Sequence, residues 1–338
     1  MNLLGLTMKE RDLSIDYAKG LAIILVYMSH SILYYPPGLF ANSSWSDYLG
    51  KMIVSCNMPL FFLISGLLFA YSKKSNFDIV KDKGRRLMIP YLFTMMLVVI
   101  AKQFLPANMS AYHASGGVID WILTIFVYGG ERWFVYVLIW IFILSLPIRK
   151  LKSSKWMLVI IAVILSLTLM IQLPELFLMN KVVWYLSFFL LGMFLNQFYI
   201  EFKEWNTKYA IFVSIVFLML NIVFVLDLMQ IPIFKKAILP VTGTVFFMTL
   251  AYLIDKYCKS RGGQTAVIKY IAYCGRYSLQ FYLFTFAYPV IRYLVVNLMH
   301  IVNPLVIFTL VLILQLIVMT LIVEITRRIK ILKIPMGY

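Results

Sequence analysis

The chain has 338 residues, of which 62% are hydrophobic and 13% are charged, and its mean hydropathy is +0.89. Soluble domains are about half apolar and a quarter charged, so this composition excludes an ordinary soluble protein and indicates a polytopic membrane protein. The formal net charge of +17 is concentrated between the hydrophobic stretches. Basic residues at such places orient membrane proteins, and the charge therefore does not indicate a nucleic-acid partner.

Apolar runs near the length that a helix needs to cross a bilayer follow one another along the chain. They cover about 13–35, 47–71, 87–105, 132–148, 156–173, 182–199, 209–227, 237–255, 278–298 and 304–325. A further run, 120–128, is too short to cross and is expected to lie at the membrane interface. The sequence predicts an all-α bundle of about ten transmembrane helices, embedded in membrane lipid as a single domain over residues 1–338.

Basic residues collect in alternate connections, as in the segments 73–86 and 149–155, while the other connections carry few. Because cytoplasmic loops of membrane proteins are enriched in Lys and Arg, this asymmetry places both termini in the cytoplasm.

The first apolar run carries titratable side chains on one helix face. Lys19 and His30 are eleven residues apart, which on an α-helix is about 16 Å of rise with about 20° of rotation. Charged residues are expensive inside a membrane and usually mark a functional interior face, although a polar packing seam would also place them there. A neutral histidine suits general-base chemistry near pH 7.

A basic cluster, Lys83 with Arg85 and Arg86, comes directly before the third run. It is either a topology signal in contact with anionic lipid or a clamp for a phosphorylated ligand, since guanidinium groups bind phosphate bidentately.

Polar and aromatic residues elsewhere supply candidates for the second substrate. Glu131 and Arg132 are expected as an interfacial pair beside Trp133, a position that also suits contact with a sugar. Asn57 in the second run and Tyr34 are expected to bind substrate as well. The group that orients His30 comes either from another helix, with Asn57 and Glu131 as candidates, or from Tyr27 or Tyr34, one helical turn on either side of it. The three cysteines have no metal-like spacing, and no metal site is expected.

Several motifs together resemble one known family. They are Asp16-Tyr17-Ala18-Lys19-Gly20-Leu21-Ala22-Ile23 followed by His30, Phe61-Phe62-Leu63-Ile64-Ser65-Gly66, Arg85-Arg86 before Pro90-Tyr91, Trp133-Phe134, and Ser278-Leu279-Gln280-Phe281-Tyr282-Leu283. This pattern, which extends over most of the chain, resembles the acyltransferase family 3 membrane proteins, the O-acyltransferases of cell-surface glycans in bacteria.

The resemblance implies a multi-pass enzyme of the bacterial cytoplasmic (inner) membrane. It would move an acyl group, usually acetyl, from cytoplasmic acyl-CoA to a sugar hydroxyl of a cell-surface carbohydrate. His30 matches the family's essential histidine and Lys19 its basic partner. Arg85 and Arg86 match the basic cluster that holds the acetyl-CoA donor, with Lys83 three residues before Arg86 in place of a second arginine at that spacing. Two further departures stand out: relatives more often have arginine at the position of Lys19, and many have a histidine near Thr285.

A transporter or flippase of a glycan or lipid-linked sugar is the alternative, because intramembrane charges also line transport pathways. That class often has internal repeats or matching pairs of broken helices, and the sequence has no evident repeat between its halves. The alternative accounts for the polar face of the first run but not for the basic cluster at 83–86.

Overall fold

The computed structural model describes residues 12–33, 40, 43–104, 117–154, 156–171, 173–203, 207–225 and 231–338, and these ranges contain helices and no strand. The α-helices are α1 (Leu13–Leu33), α2 (Ser44–Tyr71), α3 (Asn76–Lys83), α4 (Ile89–Phe104), α5 (Val118–Phe126), α6 (Trp133–Ile148), α7 (Trp156–Met170), α8 (Met179–Leu195), α9 (Tyr199–Lys203), α10 (Thr207–Val225), α11 (Leu239–Arg261), α12 (Ala266–Arg276), α13 (Ser278–Leu283), α14 (Tyr288–Tyr293) and α15 (Pro304–Arg328). The predicted all-α class is thereby confirmed.

In the described part of the chain, seven helical stretches are long and apolar enough to cross a membrane. They are Ser44–Tyr71, Asn76–Ala101, Val118–Leu151, Leu176–Phe198, Thr207–Phe224, Phe234–Arg261 and Pro304–Arg328. Helix α7 is apolar but shorter, and α1, which carries the polar face, is not among the seven. The multi-pass membrane class follows from these helices, whereas the count of ten stays a prediction.

The ninth apolar run is helical but not continuous. Helix α13 ends at Leu283, a 3₁₀ turn covers Thr285–Ala287, and α14 is followed by a π-helical turn at Leu294–Leu298. Pro289 has no N–H to donate to the preceding turn. At the break the hydroxyl of Thr285 donates to the carbonyl of Tyr282 at 2.8 Å. A break of this kind is tolerated at membrane depth where other parts of the protein surround it. This break lies in the region of the candidate site.

Close helix crossings fix the two helices that carry the first two motifs. A Cβ atom added at Gly275 of α12 would lie 1.7 Å from the carbonyl oxygen of Asp16 in α1. One added at Gly66 of α2 would lie 1.8 Å from the carbonyl oxygen of Phe189 in α8. Only glycine fits at either crossing, in agreement with the use of small residues where membrane helices approach each other closely. Helix α1 is therefore packed closely against α12, and α2 against α8.

Candidate active site

The first of two neighbouring cavities is lined by residues from the motifs. This cavity, about 180 Å³ in volume, has Lys19, Ser65, Lys83, Ser278 and Tyr282 among its lining residues, and its remaining wall is apolar. We call it the basic cavity. It brings the polar face of α1 together with the Phe-Phe-Leu-Ile-Ser-Gly motif of α2, the basic cluster after α3, and the start of α13.

Positive charge converges on the basic cavity. The charges of Lys19 and Arg86 both act on Lys83, and the Lys83 Nζ lies 4.1 Å from the centroid of the Phe142 ring, a cation–π contact. Arg85 and Arg86 are exposed on a π-helical turn, Gly84–Met88, beside the cavity. Of the predicted cluster, Lys83 lines the cavity itself, while the two arginines lie on the surface next to it. Clustered cations of this kind favour an anionic ligand.

The second cavity has aromatic and charged walls. It has a volume of about 440 Å³, and its lining includes Trp121, Glu131, Trp133 and Lys181. The Lys181 Nζ lies 4.4 Å from the centroid of the Trp133 ring, which in turn stacks on Tyr185 with centroids 5.7 Å apart. We call it the aromatic cavity, and it contains two of the residues, Glu131 and Trp133, that the sequence predicted for the second substrate.

A larger space adjoins the aromatic cavity. This side cavity, about 690 Å³, shares Glu175, Asn180 and Lys181 with it. Its wall is ordered by hydrogen bonds, since the Trp184 Nε1 donates to the carbonyl of Lys236 at 2.9 Å and the Lys236 Nζ donates to the carbonyl of Thr168 at 3.0 Å. Aromatic faces beside amide and charged groups are suited to a polar organic ligand.

The basic and aromatic cavities follow each other along the same two helical stretches. On the stretch that ends with α4, the basic cavity contacts Leu87 and the aromatic cavity contacts Met95, which is about 12 Å further along the helix. On α6 the order is reversed, with Trp133 in the aromatic cavity and Phe142 in the basic cavity. The two cavities therefore succeed one another along the bundle.

Buried polar residues lie between the cavities, and we call them the dividing layer: Tyr91, Arg132 and Tyr282. Arg132 is 1% exposed, and its Nη1 donates to the Thr285 Oγ1 at 3.2 Å. The hydroxyl of Tyr282 accepts from the backbone N–H of Phe134 at 3.2 Å, and the hydroxyl of Tyr91 donates to the carbonyl of Ile125. Hydrogen bonds thus join the layer to α5, to α6 and to the break after α13.

His30 lies beside the dividing layer. Its imidazole is half-buried and makes an edge contact with the ring of Tyr288, with centroids 5.5 Å apart and planes at 89°. Tyr288 comes three residues after Thr285, the hydrogen-bond partner of Arg132, so His30 and Arg132 contact the same short segment of the chain. Tyr27, one turn away, donates to the carbonyl of Phe281 at 2.8 Å. Neither cavity has His30 in its lining, so the histidine faces α14 in this conformation.

Two other predicted residues, Asn57 and Tyr34, are not among the residues that line the cavities in the described part of the chain. Asn57 is buried in α2, where its side-chain oxygen accepts from the backbone N–H of Met58 at 2.7 Å, and it lines neither cavity. Tyr34 lies outside the described residues. Within the part of the chain that the structure describes, no group of three or more metal-ligating side chains occurs.

Comparison with known proteins identifies the family. Residues 12–324 match the sequence profile of the acyltransferase 3 family, described as an acyltransferase domain. The chain belongs to this family. This family is the one that the motifs predicted, and all three regions of the candidate site, the two cavities and the dividing layer, fall within the matched residues.

Two relatives of this acyltransferase family member are nodulation proteins NolL. The one from Sinorhizobium fredii is 30% identical over 166 residues, 47% of this chain and 42% of the relative. The one from Mesorhizobium japonicum is 37% identical over 91 residues, 26% of this chain and 24% of the relative. The chain thus matches less than half the length of each. No solved structure matches it.

Two residues of the candidate site escaped the sequence prediction. Arg132 was expected at the membrane interface, and the structure instead buries it in the dividing layer. Lys181, which contacts Trp133, is 48 positions further along the chain and belongs to another helix. The only signal for Arg132 was a charge at the start of a long apolar run, and no sequence signal joined Lys181 to Trp133.

Proposed function

We propose that the protein transfers an acyl group, most simply acetyl, from cytoplasmic acyl-CoA to a hydroxyl of a cell-surface carbohydrate. The observation that carries the proposal is the succession of the two cavities along the bundle, one bordered by cations and the other by aromatic and polar side chains. A donor and an acceptor of different chemistry thereby approach one dividing layer from opposite sides.

The basic cavity is the proposed donor site. Lys19, Lys83, Arg85 and Arg86 supply positive charge for the phosphates of acetyl-CoA. The apolar part of the wall, which includes Leu138, suits the aliphatic portions of the pantetheine arm. In this arrangement the arm lies along the polar face of α1, and the thioester reaches the dividing layer.

The aromatic cavity and the side cavity form the proposed acceptor site. Trp133 offers a flat face, and Glu131, Asn180 and Lys181 offer hydrogen-bonding and charged groups. A carbohydrate has both apolar ring faces and hydroxyl groups, and this lining provides partners for each. The structure supplies no comparable support for Asn57 as a residue that binds the acceptor, and Glu131 and Trp133 are therefore the principal candidates.

His30 is the proposed general base. Ester formation from a thioester requires removal of the hydroxyl proton as the oxygen attacks, and neutral imidazole is suited to this task. His30 lies beside the dividing layer, where donor and acceptor would meet. A rotation of its side chain away from Tyr288 would bring the imidazole toward that layer, so the proposal includes a change of rotamer on substrate binding.

The membrane arrangement forms part of the same proposal. About ten spans with both termini in the cytoplasm would place the basic cluster at the cytoplasmic side of a bacterial inner membrane. The aromatic cavity would then open toward the outer side. Residues 1–338 would act as one membrane domain.

The test is acyl transfer from radiolabelled acetyl-CoA by membranes that contain the protein, with donor hydrolysis measured on purified protein. We expect His30→Ala to lower the transfer rate by 10² to 10⁴-fold, roughly the contribution of a general base, while coenzyme A binding is retained. His300→Asn is the matched control, because His300 is exposed with a φ of 51° that asparagine tolerates.

The outcomes separate the alternatives. Undiminished transfer by His30→Ala at matched folded yield would make His30 structural. Absence of coenzyme A binding in the wild-type protein would contradict the donor site and favour the transporter class.

A further inference from the structure

A buried arginine lies where the two proposed substrates would meet. Arg132 is 1% exposed and is among the largest fully buried side chains of the described residues. The residues on both sides of it in sequence, Glu131 and Trp133, line the aromatic cavity, while Phe134 lines the basic cavity. Arg132 therefore occupies the boundary between the cavities. A buried guanidinium is expensive inside a membrane protein, which makes a functional role the default interpretation.

Hydrogen bonds hold the guanidinium in a defined direction. The Arg132 Nη1 donates to the Thr285 Oγ1 at 3.2 Å, and the same hydroxyl donates to the carbonyl of Tyr282 at 2.8 Å. The hydroxyl group of Thr285 is thus oriented by Tyr282, so that its lone pair is directed at the arginine. Since Tyr282 lines the basic cavity, this chain of contacts couples the arginine to the proposed donor site.

The charge of Arg132 acts on groups around the dividing layer. These are His30, Tyr27 and Tyr91, while Tyr282 and Glu131 favour the charged form of Arg132. The surroundings are aromatic and buried, and a fixed cation in such low-dielectric surroundings stabilises developing negative charge more strongly than it would in water.

We propose that Arg132 is a catalytic residue that stabilises the oxyanion formed when the acceptor hydroxyl attacks the thioester carbonyl of the donor. This inference rests on the proposed function. The acceptor oxygen forms a bond to the carbonyl carbon, its proton passes to His30, and the carbonyl π electrons move onto the oxygen, which the guanidinium binds. Collapse of this intermediate re-forms the C=O bond and breaks the C–S bond. The proton then passes from His30 to the departing thiolate, giving the ester and free coenzyme A.

This role differs from that of the other basic residues. Lys19 and Lys83 line the basic cavity beside the exposed Arg86, where they suit the donor's phosphates, and they would act on binding. Arg132 is buried beside His30 and would act on the transition state. Loss of a donor-binding residue such as Lys83 weakens donor binding. Loss of a residue that contacts only the transition state lowers kcat and leaves donor binding unchanged.

The test compares Arg132→Gln and Arg132→Lys with wild type, using labelled acetyl-CoA and membranes that contain the acceptor. We expect Arg132→Gln to lower kcat by about 10² to 10³-fold, as for loss of one oxyanion donor, with the Kd for coenzyme A within about twofold. Arg132→Lys keeps the positive charge but loses the paired N–H donors of the guanidinium group, so its kcat is expected to lie between those of wild type and Arg132→Gln. Arg149→Gln is the matched control, since Arg149 donates to the carbonyls of Ser72 and Lys74 away from both cavities.

Wild-type kcat in Arg132→Gln would overturn the proposal. So would a loss of coenzyme A binding or of thermal stability that accounts for the whole effect, because a purely structural arginine gives that result. If Arg132→Gln fails to fold, Thr285→Val tests the same idea by removing the partner that directs the guanidinium, with an expected kcat loss of about tenfold. If Thr285→Val and Arg132→Lys, measured separately, both kept the wild-type kcat, the oxyanion role of Arg132 would be overturned. Absence of transfer in the wild-type protein itself marks failure of the proposed function and overturns both proposals.

Discussion

Substitution of Gly66 by alanine tests how the fold positions the basic cavity. The new Cβ would lie 1.8 Å from the carbonyl oxygen of Phe189, and real Cβ atoms keep at least 3.0 Å, so α2 and α8 must separate by about 1.2 Å. The obstructing atom belongs to the backbone, and no side-chain rotation can relieve the contact. Overpacking costs about 1 to 3 kcal/mol where side chains can adjust, and we expect about 3 kcal/mol here.

The assay is thermal unfolding of the purified protein in detergent. For a chain of this size about 2 °C per kcal/mol is expected, so Gly66→Ala should lower Tm by about 6 °C. Gly84→Ala is the matched control, because Gly84 has helical φ and ψ of −54° and −50° and open space around its Cβ position. That variant should be neutral or stabilised by up to about 1 kcal/mol. Equal Tm values for wild type and Gly66→Ala would refute the close crossing of α2 and α8.

Further predictions concern the two cavities and a helix end. Lys83→Gln should weaken coenzyme A binding by about tenfold in a binding titration, whereas Lys81→Gln, exposed on the same helix, should bind like wild type; equal Kd values in all three would contradict the donor site. Trp133→Ala should lower transfer to the acceptor relative to donor hydrolysis, and an unchanged ratio would contradict the acceptor site. Asn303→Ala removes the cap that accepts from the N–H groups of Leu305 and Val306, and it should cost about 1 kcal/mol in thermal unfolding; an unchanged Tm would show that this cap contributes nothing.

The helices were predictable from the sequence because each apolar run is long and bounded by charged or turn residues. In the described part of the chain each of the ten runs overlaps a helical stretch, and most of the short run at 120–128 lies in α5. The break in the ninth run was not anticipated, since its apolar character continues through Thr285 and Pro289. Helix α12 was also missed, because its hydrophobic residues share one face and do not form a continuous run.

The site was predictable where residues lie close in sequence or share a helix face. The stripe of α1 predicted a functional interior face, and Lys19 of that face lines the basic cavity together with Ser65 and Tyr282 from two of the other motifs. Contacts between distant helices could not be inferred in this way. The buried Arg132 donates a hydrogen bond to Thr285, 153 positions later in the chain, and only the tertiary structure brings the two together.

The proposed donor site opens to the cytoplasm and the proposed acceptor site to the outer side of the membrane, and sealed membrane vesicles test this arrangement most directly. Vesicles from cells that produce the protein are prepared inside-out and right-side-out, and radiolabelled acetyl-CoA is added to each, with His30→Ala vesicles as control. We expect alkali-labile label on membrane carbohydrate in sealed inside-out vesicles and none in sealed right-side-out vesicles. Permeabilisation of the right-side-out vesicles should restore the labelling. Equal labelling of both kinds of sealed vesicle, or label that is unchanged in His30→Ala, would contradict the proposal.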